Sequence, residues 1–375
     1  MRHGGAAVRV VEVADEASLD TFVRLGHETH GGMAVPLAER TVRAWHRGRH
    51  PHPHPITMLL ALDDDRPVGR AIAHRDDRLD ARLGTRALVF GALEAEGPAA
   101  LATLLDAIEA RALAAGAEEL FGPAQLLPNQ SGGVITAGFE ERAFLDAPWN
   151  PPWLPEALEA RGMRRWYEAD TWVVDVVDED GPTEAELDAA GIRIDEVSRL
   201  GLGRGLRALL PLLNDSFALL PYYTPFTRAE LRVQTRGLGL LHEPGLFLIA
   251  RDEEDLPVAF VVAVLDAAPL LQRSGGRLRA QEVWSLIARR AALRREAVLV
   301  IQGARPDAQG KGIVSLLSRR LHANLAELGC TTLRSTPVGR QNPGSARQFS
   351  RFGGRPLHAT AYYRKRLARP ETAAA

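Results

Sequence analysis

The chain has 375 residues, 46% of them apolar, with 46 Lys and Arg against 47 Asp and Glu and a single cysteine. That length predicts two domains at roughly 100–200 residues each, and the composition excludes wholesale disorder. A formal charge of −1 gives no global drive toward nucleic acid or an anionic membrane. The lone Cys330 forms no internal disulfide, Met1–Asp15 has no long apolar core, and no run approaches the ~18 residues of a membrane span. The reading is a cytoplasmic two-domain protein with no nucleic-acid or membrane partner. Lysine occurs only at Lys311 and Lys365 amid abundant Arg and Ala, the mark of a GC-rich genome, so arginine richness is not read as phosphate recognition.

In chain order, the two halves begin alike. Residues Val8–Val13 read as a strand and Ala17–Leu25 as an amphipathic helix; Gly191–Val197 and Leu206–Phe217 repeat the pair. A hairpin with an acidic turn follows in each half. The first runs Met58–Leu62, Asp63–Asp65, Pro67–Ala73, and the second Leu246–Ala250, Asp252–Asp255, Pro257–Val262. The halves also end alike: a helix at Pro155–Arg161 closed by Gly162 precedes a strand at Thr171–Val177, and a helix at Ser345–Phe352 closed by Gly353 precedes Thr360–Leu367. Asp178–Pro182 is acidic and helix-breaking, so the duplicated halves are read as joined near residues 178–190.

The stretch that carries chemistry is an apolar strand Ala297–Ala304, a polar glycine-containing loop Arg305–Val314 and a long helix Ser315–Leu328 closed by Gly329. Such a loop points successive amides into one concavity at a helix N-terminus, a setting that favours a phosphate or diphosphate. It is not a P-loop, since no Gly-Lys-Ser/Thr occurs, and Gly-x-Gly-x-x-Gly cannot be laid over it.

Gln309-Gly310-Lys311-Gly312-Ile313, led by Arg305-Pro306-Asp307, resembles the Gln/Arg-x-x-Gly-x-Gly/Ala loop of the GNAT (GCN5-related N-acetyltransferase) superfamily. Asn342, Ser345, Phe349 and Gly353 fall at the spacing of that family's Asn-x-x-Ala-x-x-x-Tyr-x-x-x-Gly helix, so the resemblance covers most of residues 191–367. The resemblance implies an α/β protein of two tandem GNAT-like domains, each a mixed, mostly antiparallel sheet flanked by helices. Residues 1–180 form the first and residues 190–375 the second. It implies acetyl-CoA or another acyl-CoA as co-substrate and no metal. Gln309, Gly310, Lys311, Gly312, Ile313 and Val314 would hold the diphosphate. Gln302, Gly303 and Ala304 would line the strand end beside pantetheine and thioester, with Asn342 on the pantetheine arm. Two residues depart from the pattern. Val314 stands where Gly or Ala is usual, and Phe349 where the family has a tyrosine that protonates the leaving thiolate.

Some family members use a carboxylate on the strand before the loop as base, which makes Glu296 a candidate; an acid opening a strand also reads as solvated surface. Tyr362 and Tyr363 are the nearest tyrosines after Phe349, and strand alternation points one of them inward, as catalyst or as core. The resemblance places the acceptor, an amine of a small molecule, over Asn214–Phe217, Pro221–Phe226 with Tyr222 and Tyr223, and Glu230, with a packed aromatic loop as the alternative.

The first half shows a strand Val89–Ala95 and a helix Ala100–Ala115 but no cradle, and Glu94 and Glu96 would repel a diphosphate. It is read as a GNAT-like domain without the acyl-CoA loop, as in tandem-GNAT bacterial proteins. Arg49–Pro55, with three histidines between prolines, reads as an extended loop, and Trp149–Trp153 as a domain-interface anchor. The function expected is acyl-CoA-dependent N-acyl transfer, most simply N-acetyl transfer. A CoA-binding module without turnover and a Fem-like aminoacyl transferase are the alternatives.

Overall fold

The computed structural model describes residues 8–28, 32–126, 129, 132–277 and 293–368. The first half places β1 (Arg9–Glu12), a hairpin of β2 (Thr57–Asp63) and β3 (Arg66–His74), then β4 (Ala87–Ala95), β5 (Glu119–Gly122), β6 (Val134–Ala137) and β7 (Arg164–Asp175). The second half repeats the plan with β8 (Arg193–Glu196), the hairpin β9 (Phe247–Arg251) and β10 (Pro257–Leu265), β11 (Glu296–Ala304), β12 (Thr332–Gly339) and β13 (Arg355–Arg366). The acidic turns do close both hairpins, with Asp64 and Asp255 in the left-handed region at φ 54° and 64°.

The two halves are one sheet rather than two. Strand order is β1-β2-β3-β4-β5-β13-β7-β12-β11-β10-β9-β8, with β6 pairing β13 at the side. The last strands are exchanged: β13 lies antiparallel on β5, with Tyr363 opposite Gly122, while β7 lies antiparallel on β12, with Val174 opposite Leu333. The break at residues 178–190 therefore divides the chain but not the sheet, because each half completes the other's edge. Thr183 and Glu186 also form a capping box there, which starts a short helix at Glu184–Ala189 where a plain linker was expected.

Apolar periodicity decides which faces are covered. Helix Pro98–Ala114 buries Leu101, Leu104, Leu105 and Ile108 on the outer face of the first half, and helix Ile313–Glu327 buries Leu317, Leu321 and Leu325 on that of the second. Each such leucine contributes about 1.5–3 kcal/mol of burial. Between the halves, helices Glu16–Glu28 and Leu202–Phe217 share a single core in which Leu19 and Phe22 join Leu209, Leu213, Phe247 and Phe260.

The histidine tract packs into the first half. His74 donates from Nε2 to the Leu126 carbonyl at 2.8 Å, His52 faces Asp76 at 3.4 Å, and His54 lies 2.9 Å from Asp77. Folding thus supplies carboxylates that the local sequence lacks, yet among the described residues no three His, Cys, Asp or Glu side chains meet as a metal-binding group. Burial holds His74 down to about 3 and His322, stacked on Phe352 at 3.8 Å, down to about 4. Both folded values lie below the ordinary histidine value, so this stability is complete above about pH 6.5 and declines as pH falls toward 4 and 3. At pH 5 each imidazole should cost about 2 kcal/mol, read as a lower urea midpoint than at pH 7. His322→Phe should remove its share of that slope, and a pH-independent midpoint would contradict the buried neutral imidazoles.

Candidate active site

The site begins where β11 and β12 part. The two strands pair in parallel from Glu296–Thr332 to Leu299–Ser335, and the Thr336 hydroxyl then donates to the Val300 carbonyl at 2.8 Å. Val300 is the extra residue of a bulge against β10, since Val262 faces Ile301 and Ala263 faces Leu299. Beyond it the backbone of Ile301–Ala304 runs along an open seam. Gln302 lines a small cavity together with Leu299, Ser318, His322 and Phe349, while Gly303 lies against Ser216 and Phe260.

At the end of β11 the chain takes a 3-10 turn over Pro306–Ala308, and the Gln309 side chain donates back to the Ala304 carbonyl at 3.1 Å. Gly310 and Gly312 then adopt φ 76° and 78°, a region costly for residues with a Cβ, and a Cβ built at either would meet nothing within 4 Å. Gly312 caps the helix that starts at Ile313. The amides of Gly310, Lys311, Gly312, Ile313 and Val314 donate to no other group among the described residues. The result is a concave set of free N–H groups at a helix N-terminus, flanked by exposed Lys311, which fits a diphosphate. Val314 does not obstruct it: its side chain packs on the core under the helix.

A cleft beside the loop, walled by Ala190–Ile192 and the Asp252–Glu254 turn, has a different character. It sets four carboxylates, Asp252, Glu253, Glu254 and Asp307, against Arg305 and Lys311. Arg305 is held by Asp307 at 2.6 Å, so this cleft does not suit an anion and the amide concavity does.

The other candidates are placed as follows. Asn342 lies in the turn after β12, its amide donating to the Gly339 carbonyl at 2.8 Å, and caps helix Pro343–Arg351, its Oδ1 accepting from the Ser345 amide at 3.2 Å. Phe349 is buried and stacks on Trp172 of β7 at 5.7 Å. Glu296 is removed from the seam: it opens β11, about 26 Å from Ala304 at ~3.3 Å per residue, and accepts from Arg142 and Arg334. Its Oε2 is held in ion pairs by both arginines. Tyr362 sits on the exchanged β13 beside Phe121 and Tyr222, so it belongs to the junction of the halves and not to the helix of Phe349. Tyr363, on the opposite face, donates to Glu159 at 3.0 Å. Cys330 is buried, which pushes its thiol up to about 11 and leaves no thiolate at neutral pH.

The loop between Phe217 and Glu230, which contains the expected acceptor residues Tyr222 and Tyr223, is pinned to the first half. Arg82 donates to the Leu220 and Ala218 carbonyls, Arg78 to the Pro225 carbonyl, and Asn129 to the Thr224 carbonyl at 3.0 Å. Glu230 is consumed by structure: it completes the capping box of Thr227 and accepts from Nη2 and Nη1 of Arg78, at 2.7 and 3.1 Å. Burial opposes its charge, but Arg78 outweighs this and holds the carboxyl below its usual value. Tyr223 is also internal, donating to Asn214 at 2.7 Å. Tyr222 alone of these three keeps a part-exposed ring, packed edge-on against Tyr167 of β7. Sequence reasoning missed Tyr167, because nothing in the periodicity places β7 beside β12.

In the first half the corresponding seam is filled. β4 enters its helix after only Glu96 and Gly97, and a Cβ at Gly91 would overlap the Ala124 carbonyl, which closes the gap between β4 and β5. Glu94 and Glu96 are not free charges: Glu94 is paired with the buried Arg70 and Glu96 with Arg66. Arg70 and Glu94 face each other across β3 and β4 as Phe260 and Gly303 do across β10 and β11.

No protein-family model matches the chain. Protein YghO of Escherichia coli (strain K12) is 24% identical over 313 residues, spanning 80% of this chain and 79% of that protein. Among solved structures, a GCN5-related N-acetyltransferase from Sphaerobacter thermophilus superimposes with a TM-score of 0.54 at 14% identity over 96% of both chains. A tandem GNAT protein from the clavulanic acid biosynthesis pathway gives 0.57 at 12% identity, over 96% of this chain and 98% of that one. The GCN5-related glucosamine N-acetyltransferase region of a fungal GH3 β-N-acetylglucosaminidase gives 0.58 at 14% identity, over 96% of this chain and 38% of that one.

Proposed function

Starting from the tandem GNAT fold, we propose that this chain is an acyl-CoA-dependent N-acyltransferase whose working site lies in the second half. The observation that carries the reading is the row of unpaired amides from Gly310 to Val314, set beyond an open seam between β11 and β12. Those amides would bind the coenzyme diphosphate, and the seam beside Gln302, Gly303 and Ala304 would take the pantetheine arm. Acetyl-CoA is the simplest donor and an amine of a small molecule the acceptor.

In the reaction the amine nitrogen attacks the thioester carbonyl, the C–S bond breaks, and the amine proton and thiolate must both be managed. A backbone N–H near the bulge at Val300 would stabilise the oxyanion. A thiolate leaving at pH 7 lies only ~1.5 units below its pKa, about 2 kcal/mol, so solvent suffices to protonate it where Phe349 has no hydroxyl. An amine of pKa ~10.4 is ~3.4 units away, about 4.6 kcal/mol, which makes its deprotonation the harder step.

Phe349 favours a second reading, a module that binds CoA without turnover. Release of free thiol from acetyl-CoA across a panel of primary amines separates the two. Amine-dependent release supports the transferase, whereas tight binding with no release for any amine supports the module. Absence of binding removes both.

A further inference from the structure

We propose that Tyr167, contributed by the first half, positions the acceptor in the cleft of the second half, so that the acyl-transfer site is built from both. This rests on the acyl-CoA reading and deepens it. Tyr167 is the extra residue where β7 slips against β13, for Glu168 faces Ala361 and Trp166 faces Tyr362. Its φ is 49°, and the other non-glycine residues with positive φ among those described are Asp64, Ala92, Asp146 and Asp255. A bulky aromatic in that region is strained, and such strain persists where the surroundings hold it.

What the strained turn achieves is reach. It carries the Tyr167 side chain across β12 at Gly339, where a Cβ would overlap the phenol hydroxyl. Gly339 lies three residues beyond Thr336, the point at which β11 and β12 part. The Tyr167 ring meets Tyr222 of the loop between Phe217 and Glu230 at 4.6 Å and 80°. Trp166 and Tyr362 stand 6.3 and 5.4 Å from Tyr222, and both Tyr167 and Tyr222 remain part-exposed. The nearby carboxylates Glu168 and Asp170 are bound by Arg340. The wall is therefore aromatic, with the Tyr167 and Tyr222 hydroxyls hydrogen-bonded to each other and both of these carboxylates held in ion pairs. It fits an amine on a flat apolar body, which would stack and accept or donate one hydrogen bond, better than an extended polyamine.

The chain has five tyrosines, so 3-fluorotyrosine gives five resolvable fluorine signals, each assignable by one Tyr→Phe variant. Acetyl-CoA should move the Tyr167 and Tyr222 signals and leave that of Tyr363, whose hydroxyl is held by Glu159, unchanged. With CoA bound, phenethylamine should move Tyr167 further and putrescine should not; equal or absent responses overturn the aromatic class. Tyr167→Phe should bind acetyl-CoA within about twofold of the parent, while KM for phenethylamine rises about fivefold at little-changed kcat, the loss of one hydrogen bond. Acetyl-CoA binding that leaves the Tyr167 signal in place refutes the positioning role. No acetyl-CoA binding at all refutes the coenzyme reading, and the positioning role falls with it.

Discussion

Gly312→Val should weaken acetyl-CoA binding at least about 100-fold, a loss of about 2.7 kcal/mol, while the protein stays folded. Two effects add. At φ 78° a side chain strains the backbone by about 1–2 kcal/mol, and a β-branched one by more. The new methyl groups would also project into the open space that the amides of Gly310–Val314 face. Because Gly312 is exposed and caps the helix from outside the core, the strain is local and the unfolding midpoint should fall only modestly. Lys311→Ala offers the contrast. It removes one exposed, salt-screened charge and should cost only about three- to tenfold, with the difference from the parent shrinking at high salt. Titration calorimetry with circular dichroism of each variant checks both, and unaltered affinity in Gly312→Val would remove the cradle.

Division of the chain between Gly181 and Pro182 should yield two fragments that fold only together. Residues 1–181 keep β7 but lose both of its neighbours, β12 and β13; residues 182–375 keep β13 but lose β5, β6 and β7. Each piece would expose open strand edges and half of the core shared by helices Glu16–Glu28 and Leu202–Phe217. Expressed singly, the fragments should be insoluble or lack a cooperative unfolding transition. Co-expressed, they should elute as a 1:1 complex of the parent's size. A first fragment that is alone monomeric and cooperatively folded would show that the exchange of β7 and β13 is not what joins the halves.

This exchange also marks where reading the sequence stops. Period-two and period-3.6 patterns set both hairpins, the first helix of each half and the glycine caps at Gly162, Gly329 and Gly353, all left-handed at φ 78°, 78° and 71°. The loop Gln309–Gly312 was legible because its conformation is local and only glycine tolerates it. Partners far along the chain were not legible. Glu296 looked like a free acid until Arg142, 154 residues away, was seen on it, and Glu230 likewise until Arg78 was. Glu94 and Glu96 looked repulsive because Arg70 and Arg66 lie on another strand. Tyr362 has the periodicity of any strand residue; that its strand sits in the other half is a matter of pairing, which periodicity does not encode. Tyr167 was hidden for a related reason, since a bulge reverses the face that alternation assigns.

The decisive measurement is the crystal structure of the full chain grown with acetyl-CoA. The diphosphate should lie on the amides of Gly310 through Val314, with pantetheine in the seam between β11 and β12 and the first half's seam still closed by Ala124. Coenzyme bound anywhere else, or a cradle without diphosphate at saturating concentration, would contradict the proposal that this chain transfers acyl groups.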